Sequence, residues 1–156
     1  MARVYLDTSF VSACVTDRED VPSAYRRQVS QEWWETQRPS HQVFVSVEVL
    51  NELSHPGFPR ASAGLSLIAD VPLLAVDDEV EGLAHLLVRE KVMPAPPVGD
   101  AVHVAVSTIH GIAYLLTWNV RHLANPNKLE HLRRICTRVG VMPPQILTPD
   151  SLWEQE

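Results

Sequence analysis

The segment GDAVHVAVSTIHGIAYLLTWN, residues 99–119, decides the fold class because it joins a buried helix to a buried strand. A predicted helix begins at Gly99 and Asp100 and runs to about His110. Its residues are apolar on nearly every side, which is typical of a helix that is mostly buried. The following run, residues 113–116 (AYLL), is continuously apolar, as expected for a strand covered on both faces of a sheet.

Strands and helices alternate along the rest of the chain. We predict strands at residues 3–6, 43–45, 73–76, 113–116 and 145–147. Predicted helices cover residues 21–36, 47–53, 78–91 and 100–110, with another from about residue 59 and a short basic helix after residue 119. This alternation predicts an α/β fold in which helices cover both faces of a parallel sheet. A chain of 156 residues has the size of one domain, so we expect a single domain over residues 1–156.

The composition is that of a globular protein. Hydrophobic residues make up 46% and charged residues 21%, which excludes global disorder. The cysteines, Cys14 and Cys136, lack metal-binding spacing, so a disulfide scaffold or zinc ribbon is disfavoured and a cytoplasmic location is expected. No apolar run approaches the roughly 18 residues that span a membrane.

The charge is acidic overall and uneven. The net charge is −6, and the isoelectric point is near 5.6. A protein that coats nucleic acid without specificity is normally basic, so that class is disfavoured. A nuclease that handles phosphates through a metal ion is compatible, because a divalent cation inverts the local field. Residues 119–140 contain five basic residues and one acidic residue. The basic residues could contact RNA or form a solvated surface: Arg121, Lys128, Arg133, Arg134 and Arg138.

Four polar residues are predicted at the carboxyl ends of the strands, where parallel α/β sheets place their sites. Asp7 and Asn119 follow two strands, Glu52 lies in the helix after the second strand, and Asp100 opens the buried helix. Three acids and an amide are hard oxygen ligands suited to Mg²⁺ or Mn²⁺. A metal held there can activate water and stabilise charge on a phosphate, which is the chemistry of phosphodiester hydrolysis.

Each of these residues also has a purely structural explanation. Asp7 could form an Asx-turn, Asp100 could interact with the helix dipole, and Asn119 could cap a helix. Glu48 is best explained as a first-turn acid, and His103 as a buried residue of the core. Hydroxyl groups next to the proposed ligands could bind Asp7 or a phosphate, or simply cap strand ends: Thr8, Ser9 and Thr117.

Four segments resemble the motifs of PIN-domain ribonucleases, most closely the VapC-type toxins of prokaryotic type II toxin–antitoxin systems. They are VYLDTS (4–9), VSVEVLNEL (45–53), GDAVHVA (99–105) and YLLTWNVRHL (114–123). The resemblance implies a three-layer α/β/α sandwich with a central, mostly parallel five-stranded sheet. It also implies an acidic pocket for Mg²⁺ or Mn²⁺ and endonucleolytic cleavage of RNA by activated water.

The resemblance assigns catalytic positions to Asp7, Glu52, Asp100 and Asn119, with Asp7 and Asp100 as metal ligands. Glu52 is preferred to Glu48 because it matches the V-L-x-E pattern of the family. Asn119 departs from the family, since an acid is usual at this last position; asparagine keeps a carbonyl ligand but loses a negative charge.

The resemblance also implies a homodimer and a cognate antitoxin. The repeat Val21, Tyr25, Val29 and Trp33 predicts an apolar stripe that packs on the sheet, whereas Trp34 lies off the stripe and is expected to be exposed to a partner. A catalytically weak or inactive PIN-like module that binds RNA or protein is the main alternative. A phosphotransferase that forms an acyl-phosphate on Asp7 is disfavoured, because Ser9 stands where that chemistry needs a second acid.

Overall fold

A computed structural model describes residues 1–154, which form a five-stranded parallel sheet with helices on both faces. The strand order is β3-β2-β1-β4-β5. The strands are β1 (Ala2–Leu6), β2 (His41–Ser46), β3 (Leu73–Leu74), β4 (Tyr114–Leu116) and β5 (Gln145–Leu147). The α-helices of this region are α1 (Thr8–Val15), α2 (Val21–Glu32), α3 (Val47–Leu53), α4 (Ala61–Leu67), α5 (Asp78–Arg89), α6 (Asp100–Ile109) and α7 (Pro126–Arg138).

The two central strands form the middle of the core. Val4, Tyr5 and Leu6 of β1 are fully buried, as are Leu115 and Leu116 of β4. A strand buried on both faces needs helices on both sides, and α6 is buried along almost its whole length. The prediction of a three-layer α/β/α fold with a five-stranded sheet is confirmed, and every strand pair is parallel.

Helix α1 is an element that the sequence pattern does not predict, since no helix is expected between residues 7 and 21. It begins directly after β1, and Asp7 is its N-cap: the Asp7 carboxylate accepts a hydrogen bond of 3.1 Å from the Phe10 amide. The apolar and β-branched residues of α1 resemble the continuation of a strand. The cap at Asp7 decides otherwise, because it satisfies an amide at the start of the helix.

The apolar stripe predicted along α2 is wrong. Val21 is 83% exposed and Tyr25 is 51% exposed, whereas Trp33 is fully buried. An α-helix turns about 100° per residue, so residues 21 and 33 lie roughly 120° apart around its axis. Trp34 is also not free for a partner: it is partly buried 6.5 Å from the Phe10 ring, and the Arg38 guanidinium lies 4.2 Å from its ring centroid.

Cys14 and Cys136 are both buried free thiols. Burial raises the pKa of the Cys14 thiol to about 12 and that of Cys136 to about 11, so both are protonated at neutral pH. Among residues 1–154, no helix combines the length and the apolar character needed to cross a membrane.

Trp33 is the largest fully buried side chain, and it links the end of α2 to the C-terminal segment. Its indole nitrogen donates a hydrogen bond of 2.9 Å to the Leu152 carbonyl, and its ring meets Phe10 edge-on. We expect Trp33→Ala to lower the free energy of unfolding by about 3–5 kcal/mol. Trp153→Ala, at a position that is 40% exposed, should cost at most about 0.5 kcal/mol. Urea unfolding of both variants tests this difference, and equal losses would contradict it.

Candidate active site

The structure brings the four predicted site residues to one edge of the sheet. Asp7 follows β1, and Asn119 lies shortly after β4, the neighbouring parallel strand. Glu52 lies near the end of α3, and Asp100 is the first residue of α6. The catalytic and metal-binding roles of these residues stay predictions, but their common location follows from the parallel arrangement of the strands.

The Asp7 carboxylate is buried, with only 3% of the residue exposed, and both of its oxygens accept hydrogen bonds. Besides the Phe10 amide, one carboxylate oxygen accepts a hydrogen bond of 2.7 Å from the Ser9 hydroxyl. The other oxygen accepts one of 2.6 Å from the Thr117 hydroxyl. The side chain therefore joins the end of β1 to the residue that follows β4.

The two hydroxyls that bind Asp7 are themselves held by the backbone after β4. The Trp118 amide donates to the Ser9 hydroxyl at 2.9 Å, and the Asn119 amide donates to the Thr117 hydroxyl at 2.9 Å. Each hydroxyl has one proton, and both protons are directed at Asp7. Chains of this kind strengthen each hydrogen bond along them, so the orientation of Asp7 is well determined.

The carboxyl groups of Asp7 and Asp100 are both partly or fully removed from water, which disfavours their charged form. Burial raises the pKa of both carboxyls, more than the nearby His103 and the hydrogen bonds lower it. The charge of Glu52 raises the pKa of Asp100 further. Neither Asp7 nor Asp100 forms an ion pair with lysine or arginine in the part of the chain that the structure describes. The burial of these two carboxylates is thus offset only in part, by His103 and by hydrogen bonds.

Glu52 differs from the two aspartates. Burial alone would raise its pKa, but the hydrogen bond and charge of His103 outweigh burial and lower it, so Glu52 is ionised at neutral pH. One of its oxygens accepts hydrogen bonds from His103 and, at 2.9 Å, from the Thr8 hydroxyl. Within residues 1–154 the second oxygen, Oε2, accepts no hydrogen bond. Since Glu48 has no such link to the acids, the contacts favour Glu52 as the site glutamate.

His103 connects the acids to one another, a role that the sequence pattern did not assign to it. It is 1% exposed, which agrees with a core residue. Burial alone would lower its pKa, but Glu52 above all, and then Asp7 and Asp100, raise it. The raised pKa favours the imidazolium, in which Nε2 donates to Glu52 and Nδ1 donates to the Tyr5 hydroxyl at 2.7 Å.

The Tyr5 hydroxyl continues this network to α3. It donates a hydrogen bond of 2.8 Å to Ser46, whose side chain is the N-cap of α3. Tyr5 is a member of this hydrogen-bond network that the sequence pattern does not predict. The available signal was a tyrosine between two apolar residues of the first strand, Val4 and Leu6, because a buried tyrosine hydroxyl usually finds a partner.

Asn119 is oriented by its neighbours in a way that the motif does not indicate. Its side-chain amide donates a hydrogen bond of 3.0 Å to Asp100. Its side-chain carbonyl accepts one of 3.1 Å from the His122 amide and so caps the turn after β4. The carbonyl that the resemblance would make a ligand is therefore used by this turn, which agrees with the capping alternative.

The acids suit a metal ion that keeps several water ligands better than one enclosed by protein ligands alone. Among residues 1–154, no three or more aspartate, glutamate, histidine or cysteine side chains are arranged to hold a metal by themselves. Mg²⁺ usually keeps several waters and binds one or two carboxylates together with phosphates of the substrate. Asp7 and Asp100 supply two hard donors with which no lysine or arginine within residues 1–154 pairs, so this donor set fits such an ion.

Part of the basic charge after Asn119 is paired within the protein. Arg134 lies 3.6 Å from Glu130, and Arg138 lies 3.8 Å from Glu90. Arg121 is exposed in the turn after β4 and is the basic residue of this run nearest in sequence to Asn119. A role of this basic segment in RNA binding stays a prediction.

The charged state of His103 predicts a dependence of stability on pH. The pKa of His103 is raised in the folded protein, so protonation of His103 stabilises the fold. This contribution to the free energy of unfolding is complete below the unfolded pKa of about 6.5. It is lost as the pH rises through the pKa of the folded protein. In EDTA, the free energy of unfolding should fall above pH 6.5 with a slope of at most about 1.4 kcal/mol per pH unit. His103→Gln should remove this slope. Urea unfolding at a series of pH values is the measurement, and an unchanged slope in the variant would contradict the assignment.

No protein-family model matches this sequence. A search of curated proteins also finds no match.

Two of the solved structures that share the fold align with most of this chain. One is the VapC20 toxin of Mycobacterium tuberculosis, described as cleaving the sarcin–ricin loop; it is 24% identical, with a TM-score of 0.57 over 76% of this chain and 92% of that one. The other is FitAcB of Neisseria gonorrhoeae, 12% identical, with a TM-score of 0.58 over 96% of this chain and 99% of that one. At these identities the likeness shows the fold alone. The chain therefore has the fold of VapC-like PIN-domain proteins, as its four motifs predict.

Proposed function

We propose that this protein is a Mg²⁺- or Mn²⁺-dependent endoribonuclease, which hydrolyses phosphodiester bonds in RNA as the toxin of a toxin–antitoxin pair. The observation that carries the proposal is a pair of carboxylates, the buried Asp7 and the partly buried Asp100, with which no lysine or arginine within residues 1–154 pairs. The fold supports it, since VapC20 is itself described as a toxin that cleaves the sarcin–ricin loop.

Asp7 and Asp100 would hold the metal, which when bound lowers the pKa of water and stabilises charge on the phosphate. Ser9 and Thr117 keep Asp7 oriented through their hydroxyl protons. The Asn119 amide keeps one oxygen of Asp100 in place. These contacts pre-organise the acids, so little side-chain movement is needed when substrate arrives.

Glu52 would orient the attacking water. Its Oε2 atom is free of hydrogen bonds to residues 1–154, and its side chain is 36% exposed, so it can accept a hydrogen bond from water. His103 lowers the pKa of Glu52, which makes it a weak base at neutral pH. Glu52 is therefore better suited to orient the water through a hydrogen bond than to accept a proton from it as a general base.

The proposal predicts that RNA cleavage in Mg²⁺ or Mn²⁺ depends on both aspartates. Asp7→Asn and Asp100→Asn should each lower kcat/KM by at least about 10²-fold, because each removes charge that faces the metal and phosphate. Asp78→Asn, at an exposed acid on α5, is the matched control and should leave cleavage unchanged. Variants that remain folded and cut RNA as fast as the parent would refute the assignment.

The second candidate is a weakly active or inactive PIN-like module that binds RNA or protein. It is favoured by one observation, the amide at position 119 that faces Asp100 instead of a further acid. Asn119→Asp separates the two candidates in the same cleavage assay. If the parent is active, Asn119→Asp should change the rate of RNA cleavage by less than about tenfold, which is 1.4 kcal/mol in the activation barrier. A gain beyond about 10²-fold would instead favour the weak module.

A cognate antitoxin, a homodimer and a cytoplasmic location belong to the same proposal and are supported by the motif resemblance. Trp34 does not support a partner surface, because Arg38 covers its ring and Phe10 lies against it. A dimer or antitoxin surface should therefore be sought elsewhere on the protein.

A further inference from the structure

An open groove of about 300 Å³ lies beside the candidate active site. One wall is the face of α1 that carries Ser12 and Thr16, and the opposite wall is the first half of α2, with Ser23 and Arg26. Ser9, Ser12 and Thr16 fall on one side of α1 because they are spaced by three and four residues. The groove is thus lined by hydroxyl groups and a guanidinium group.

The groove is continuous with the site through two shared residues, Ser9 and Asn119. Ser9 donates its hydroxyl proton to Asp7, and Asn119 donates its amide proton to Asp100. A chain that crosses the two aspartates can therefore enter the groove without leaving the protein surface.

Arg26 is the exposed cation of the groove that has no partner within residues 1–154. Its guanidinium lies 5.6 Å from the centre of the Trp118 ring and makes no ion pair or hydrogen bond there. The adjacent Arg27 differs, because it is bound to the Thr16 and Arg18 carbonyls at 3.0 and 2.9 Å. Arg26 is therefore free to bind an anion.

The surface under Arg26 is rigid. The Trp118 indole nitrogen donates a hydrogen bond of 2.8 Å to Ser30, and the Tyr25 ring meets the indole edge-on at 6.2 Å. A cation held over a fixed aromatic ring keeps its orientation without a carboxylate partner, so its charge is not cancelled locally.

We propose that this groove binds the nucleotide next to the scissile phosphate in a single RNA strand. Arg26 pairs with its phosphate, and the hydroxyl side chains exchange hydrogen bonds with its ribose; the inference rests on the proposed ribonuclease function. The volume is at the lower end of ligand sites, roughly 300–1,000 Å³, and suits one nucleotide. A ribose 2′-hydroxyl both donates and accepts hydrogen bonds, as serine and threonine do.

The charges along the groove favour a phosphate over an acidic peptide. Arg18 is paired with Asp20 at 3.1 Å, and Asp17 adds a negative charge to the lining. Positive charge is therefore concentrated at Arg26, which matches one phosphate, whereas an acidic peptide with several adjacent carboxylates would also meet the repulsion of Asp17.

The test compares Arg26→Gln with Arg89→Gln, a control that removes another exposed arginine from α5, away from the groove. Binding of a fluorescein-labelled 12-nucleotide RNA is measured by anisotropy in EDTA, where metal-dependent cleavage does not occur. Arg26→Gln should raise Kd about tenfold and reduce the slope of log K against log salt by about 1. Arg89→Gln should leave Kd within about twofold of the parent.

Cleavage of the same RNA in Mg²⁺ separates this inference from the proposed function. If the parent cuts RNA and the two arginine variants bind and cut alike, the groove assignment is overturned while the ribonuclease proposal stands; a protein segment would then be the better occupant. If the parent binds RNA through Arg26 but cuts none in Mg²⁺ or Mn²⁺, the groove assignment is supported and the proposed function fails. Absence of RNA binding by the parent would overturn the groove assignment outright.

Discussion

The buried carboxylate of Asp7 is the constraint on which the site depends. It caps α1 and accepts hydroxyl protons from Ser9 and Thr117, so it ties the end of β1 to the residues after β4. Parallel strands converge at this edge, but the strand ladder alone does not orient the side chains that leave it. Burial makes Asp7 a strong structural link and also raises its pKa. No lysine or arginine within residues 1–154 pairs with Asp7 to lower that pKa again.

His103 explains how the described chain holds three acids near one another. The imidazolium is buried, hydrogen-bonded at both ring nitrogens, and within electrostatic reach of Asp7, Glu52 and Asp100. A buried charge is tolerated when its hydrogen bonds are satisfied and opposite charge lies close by. The cation stabilises Glu52 most, which leaves the two aspartates as the acids whose charge is least offset.

The fold was largely predictable, because its signals are local. A helix buried on every side followed by a four-residue apolar strand indicates a covered parallel sheet, and β5 was predicted at its observed bounds. Helix α1 was missed since its apolar residues suit a strand equally well, and only the cap at Asp7 separates the two. The stripe on α2 failed because a four-residue spacing drifts around the helix over three turns.

The sequence by itself determined the five strands, the helices other than α1, and the placement of Asp7, Glu52, Asp100 and Asn119 near strand ends. Only the tertiary structure decided which groups face one another. Thr117 and Asp7 are 110 residues apart, and His103 and Glu52 are 51 apart, yet each pair is hydrogen-bonded. Such contacts are set by how the layers pack, a long-range property that no local pattern encodes. The same packing turned the Asn119 amide toward Asp100 and left Arg26 unpaired among the described residues beside the site.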